Sequence, residues 1–175
     1  MDLARQALQV GENDPGILAN AAQVLARFGE DIGALIALVD RALALNPSFA
    51  RGWFVSGLLR LWAGQPDLAI EHVETSLRLS PRDQLVGAQA TFAMAMAHFI
   101  AGRYLDCVAS ARGTIERYPE YVPAHYALIA ALAMQGEQAA TAQALATVLQ
   151  LRPDISIALL DKNMPWTGDI LVRLI

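Results

Sequence analysis

Residues 64–81, GQPDLAIEHVETSLRLSP, decide how the rest of the chain is read. A glycine opens the stretch and a proline closes it seventeen positions later. Glycine is the cheapest residue for the left-handed turn that stops a helix. The residue before a proline avoids the helical region, so a second helix ends at Ser80. The same spacing recurs at Gly102/Pro119 and Gly136/Pro153, and one residue longer at Gly29/Pro47. Pro47 and Pro81 are 34 residues apart, as are Pro119 and Pro153, and Gly102 and Gly136. These marks cut the chain into two-helix units at about 15–49, 50–83, 88–121 and 122–155. Gln84 to Gly87 is an insertion between the second and third units, extending the next helix or its approach loop. Residues 1–14 read as half a unit, its single helix followed by a loop. Residues 156–175 read as a C-terminal cap, broken at Met164–Pro165–Trp166, with Thr167 as N-cap of a last apolar helix. Both ends suggest a piece of a longer protein.

Composition agrees with buried helices. The 175 residues are 55% hydrophobic and 17% charged, so one core or one short solenoid is possible and two enzyme domains are not. The net charge is −4, and the 13 cationic residues are scattered without a basic stripe, which argues against nucleic acid. The N-terminus lacks the pattern of a signal peptide. The most apolar run, Thr91 to Gly102, is too short for a bilayer. A cytoplasmic location with no membrane contact is the expectation.

Unit two carries a resemblance to the tetratricopeptide family, whose pattern is W-x2-L-G-x2-Y…A-x3-F…P. It presents Trp53, Ser56, Gly57, Ala69, Val73 and Pro81, departing from the pattern at Ser56 and Arg60. Unit three has Thr91, Met94, Ala95, His98, Cys107, Ala111 and Pro119 in these places. Unit four has His125, Leu128, Ile129, Leu132, Thr141, Leu145 and Pro153. The resemblance implies an all-α fold, an α-solenoid wound as a right-handed superhelix of about four helix-turn-helix units. It also implies that Trp53 fills the inter-helix slot and that Gly57 and Ala69 permit close helix approach. A narrower resemblance runs from LALNPSF to SPRD and from AHFIAGRY to AMQGE. It is to the repeat region of bacterial signalling proteins that carry an adenylate/guanylate cyclase or a winged-helix domain. No catalytic or DNA-binding segment of such proteins is present.

Chemical motifs are sparse. His98 and His125 occupy first-helix positions that usually hold core aromatics, so packed imidazoles are expected. His72, in EHVE, lies between carboxylates that do not share its helix face, so it reads as part of a solvated face, as do Asp67, Glu71 and Glu74. Cys107, the single cysteine, sits in a small-residue slot and reads as a buried thiol. There is no triad, phosphate loop or dinucleotide motif. The expectation is no enzyme, no catalytic residue, no cofactor and no metal.

In the family that the chain resembles, first-helix positions 2, 5, 9, 12 and 13 line the concave face. The resemblance therefore implies a protein-binding surface at Phe54, Leu58, Leu61, Trp62, Phe92, Met96, Phe99 and Tyr126. Phe54 and Phe92 replace the lysines, and Leu58 and Met96 the asparagines, with which some members clamp a terminal carboxylate. An apolar groove of this kind suits a partner helix or peptide or the seam of a homodimer. It could also take the chain's own tail through Trp166, Ile170, Leu171 and Leu174. The function expected is a protein–protein interaction scaffold, with a dimerisation arm or spacer as the alternative.

Overall fold

A computed structural model describes residues 2–154. All nine helices among these residues form one solenoid: α1 (Asp2–Val10), α2 (Pro15–Ala26), α3 (Ile32–Leu45), α4 (Ala50–Trp62), α5 (Pro66–Leu79), α6 (Gln84–Ile100), α7 (Tyr104–Arg117), α8 (Val122–Met134) and α9 (Gln138–Leu151). No strand occurs among the described residues. The pairs α2/α3, α4/α5, α6/α7 and α8/α9 are the helix–turn–helix units.

The glycines act where the spacing put them. Gly29, Gly64, Gly102 and Gly136 have φ between 71° and 77°. Each is followed by the double hydrogen bond that closes a left-handed helix cap. In unit two, Gln65 N–H donates to Arg60 O at 2.9 Å and Gly64 N–H to Leu61 O at 3.1 Å. At the other ends, Asp14, Asp31 and Asp83 cap α2, α3 and α6, accepting from Ile17, Ala34 and Val86 N–H at 3.0, 2.7 and 3.0 Å. The insertion Gln84–Gly87 lengthens α6 itself. That helix has 17 residues against 13 in α4 and α8, while residues 46–49, 80–83 and 118–121 are loops of equal length. Gly87 leaves room there for the Tyr118 hydroxyl at the end of α7, which a Cβ would strike.

Helix contacts fix the direction of curvature. Each first helix touches the next, α2 to α4, α4 to α6 and α6 to α8, whereas no second helix touches another. The first helices therefore form the inner layer and the second helices the outer one. Between the layers lie two core clusters, one holding Leu18, Val39, Val55, Leu59 and Val73 and the other Cys107, Ala111, Ala127 and Ala144, with the partly buried Met96 packed against both. Gly57 is where α4 and α5 approach closely: a Cβ there would meet Val73 Cγ2 at 2.7 Å and Ala69 O at 3.0 Å.

Trp53 fills its slot and anchors it. Its Nε1–H donates to Pro47 O at 2.8 Å, across the junction between units one and two. His125, the equivalent residue of unit four, does the same job: its Nε2 lies 2.9 Å from Pro119 O and the ring is buried. An imidazole with a proton on Nε2 thus reproduces the donor of the indole. The two departures of unit two from the repeat pattern are coupled. Arg60 donates to Ser56 Oγ at 2.5 Å and reaches back to Asp40 at 3.0 and 3.2 Å, linking α4 to α3. His72 Nδ1 lies 3.0 Å from the same Ser56 Oγ, and its ring stands edge-on to Trp53 at 4.9 Å. His72 is therefore half-buried between helices, not on a solvated face as its flanking carboxylates suggested.

Candidate functional site

Curvature divides the eight predicted inner-face residues into two sets. Phe54, Leu61 and Phe99 are 2%, 6% and 7% exposed, so they belong to the core and present nothing to a ligand as they stand. Their positions look inward in a helix read alone, but they pack into the core clusters, Phe99 against the Tyr104 ring of α7 at 5.4 Å. Leu58, Trp62, Phe92, Met96 and Tyr126 are half-buried. Leu58, Trp62 and Met96 rest on the edge of the core, and Met96 also packs against the second core cluster. Phe92 stands edge-on to Tyr121 at 6.0 Å, which fixes its ring across the junction of units three and four. Burial raises the pKa of the Tyr126 hydroxyl, keeping it neutral. These five residues lie on α4, α6 and α8 of the inner layer. The expected plug residues Trp166, Ile170, Leu171 and Leu174 lie outside the described residues.

At the α2 end the inner layer changes character. Arg51 donates from Nη2 to Gln23 Oε1 at 2.6 Å and lies 5.1 Å above the Phe54 ring. Arg27, at the end of α2, is close enough for its charge to act on Arg51. The clue in sequence was compositional: α2, α4, α6 and α8 contain no Asp or Glu.

The remaining reactive groups are quiet. Cys107 is fully buried, its Sγ 3.7 Å from Ala127 O, and burial pushes its thiol up to about 12. Burial, and then the neighbouring Arg60 and Arg103 respectively, lower the pKa of His72 and His98. His98 is half-buried with Nδ1 unpartnered, less enclosed than a core imidazole. Among the described residues no three of His, Cys, Asp and Glu converge as a metal site. No helix among them is long and apolar enough to cross a membrane.

No protein-family profile matches the chain, and no curated protein does. Solved structures do. MamA 41-end from Desulfovibrio magneticus RS-1 superposes with a TM-score of 0.73 at 21% identity, covering 89% of this chain and 87% of that one. A second crystal structure of MamA gives 0.70 at 14% identity, over 86% and 85% of the two chains. The fold resembles that of MamA. A MamA RS-1 ArsTM double mutant agrees, with a TM-score of 0.69 at 20% identity over 86% and 82%. At such identities the likeness is one of fold, and it supports the tetratricopeptide-like solenoid.

Proposed function

We propose that the chain is a non-catalytic protein-interaction scaffold that receives a helix or peptide along its inner layer. The observation that carries this is the row of half-buried apolar side chains, Leu58, Trp62, Phe92, Met96 and Tyr126, on three successive first helices. Side chains already resting on a core keep most of their rotamer freedom out of the binding cost, so covering them favours association. A partner helix with apolar residues at i, i+3 and i+4 matches such a surface. The finer reading is the regulatory repeat region of a bacterial signalling protein with a cyclase-type or winged-helix domain. It draws on the sequence resemblance alone.

A displayed library of random dodecapeptides, selected on the full chain, tests the groove. Sequences should be enriched on the wild type and not on the double variant Leu58→Glu/Met96→Glu, whose circular dichroism should remain helical. Enrichment unaffected by the double variant would place the binding surface elsewhere. Light scattering at micromolar concentration tests the alternative. A dimer that the double variant dissolves would make this face the seam of a dimerisation arm.

A further inference from the structure

Charge is sorted between the two layers of the solenoid. Among the described residues, helical carboxylates occur on α1 and on the second helices: Asp40 on α3, Asp67, Glu71 and Glu74 on α5, Asp106 and Glu116 on α7. The four first helices carry none. They carry two arginines. Arg60 is turned toward the outer layer by its bond to Asp40 on α3. Arg51 is held on the inner side, its Nη2 on Gln23 and its guanidinium over Phe54. Arg27, following α2, is exposed beside it. A chain of net charge −4 thus presents an inner layer whose unmatched charge is positive and confined to the α2–α4 end.

The surroundings of Arg51 leave that charge incompletely compensated. Burial lowers its pKa, Asp83 raises it, and Arg27 lowers it again. Asp83, whose Oδ1 also caps α6 by accepting the Val86 N–H, is one carboxylate against the two guanidinium groups, which leaves a positive excess. Two guanidinium groups that repel each other beside an apolar row define a surface that an anionic, amphipathic ligand complements. Two cations are too few to track a nucleic-acid backbone. The row leading away from them, Leu58, Trp62 and Met96, asks for apolar side chains.

We propose that the inner layer takes an acidic amphipathic protein segment. Its carboxylates lie over Arg27 and Arg51, and its apolar residues continue over Leu58, Trp62 and Met96. The inference rests on the groove reading above and adds the chemistry and polarity of the partner.

The test uses peptides recovered from the dodecapeptide selection, titrated onto the full chain by calorimetry. The expected result is enrichment of Asp or Glu toward one end of the selected sequences and of Leu, Phe or Trp toward the other. Replacing the acids by lysine should weaken binding by about tenfold or more, and raising sodium chloride from 50 to 500 mM should weaken it in the same sense. Arg27→Glu/Arg51→Glu should cost the acidic peptide about tenfold, and the milder Arg27→Gln/Arg51→Gln less. Arg78→Glu/Arg112→Glu on the outer helices should leave binding unchanged. Selected peptides without acids, or acidic peptides indifferent to salt and to the arginine variants, would overturn the proposal while the groove stands. Peptides indifferent to Leu58→Glu/Met96→Glu, or no enrichment at all, would overturn both. A dimer dissolved by Leu58→Glu/Met96→Glu would make a second copy the occupant, and that too would overturn it.

Discussion

One exchange, glycine to alanine within a helix, should stabilise this molecule at one position and not at another. At Gly113 in α7 an added Cβ meets nothing within 4 Å, so only the backbone effect acts, and alanine is favoured by about 1 kcal/mol. At Gly57 in α4 the same backbone gain applies, but the Cβ falls 2.7 Å from Val73 Cγ2 and 3.0 Å from Ala69 O. The first distance is short of ordinary contact by about 0.7 Å, and the second partner is a backbone carbonyl that cannot rotate away. Helices α4 and α5 must separate, and overpacking of this kind costs about 1–3 kcal/mol. Gly57→Ala should therefore lie between neutral and about 2 kcal/mol less stable than the wild type. The two variants should differ by about 1–3 kcal/mol, or about 2–12 °C in Tm for a chain of this size. Urea denaturation followed by circular dichroism at 222 nm, with equal m-values, measures the difference. If Gly57→Ala were as stabilising as Gly113→Ala, the helices would have parted freely, and the account of Gly57 as the contact that sets their spacing would fail.

Three further outcomes are expected. Cys107 in the native chain should resist a disulfide reagent at pH 8 and react fully in denaturant, because burial holds the thiol protonated near a pKa of about 12; rapid native labelling would contradict its placement. His72 and His98 titrate below their ordinary value in the folded state, so the unfolded chain binds more protons in acid. Their contribution to stability is complete above about pH 6.5 and is lost as pH falls below it. Urea midpoints at pH 7.5, 6 and 5 should fall accordingly, and His72→Gln/His98→Gln should flatten the decline; an unchanged slope would reject it. Trp53→Phe and His125→Phe each remove one donor to a proline carbonyl and should cost about 0.5–1.5 kcal/mol by denaturation, with no loss marking that bond as idle.

What could be read in advance was what depends on neighbours in the chain. The left-handed caps at Gly29, Gly64, Gly102 and Gly136 are local, and so are the stops before Pro47, Pro81, Pro119 and Pro153, so helix ends followed from spacing. The burial of Phe54, Leu61 and Phe99 depends on how the neighbouring helices pack on them, which a helical wheel does not contain. His72 was misplaced for a related reason, since its partner Ser56 lies on another helix, 16 residues away. Arg51 and Gln23, 28 residues apart, are joined only by the stacking of units.

The added turn of α6 breaks the translational symmetry of the molecule. The closing prolines advance by 34 residues from unit one to two and from three to four, but by 38 from two to three. Loops of equal length on either side cannot absorb the difference, and four helical residues add about 6 Å along the α6 axis. The extra turn therefore lies at the start of α6, and α4 and α8 have no counterpart to it. Units two and three are thus related by a different step from the one that relates units one and two or three and four.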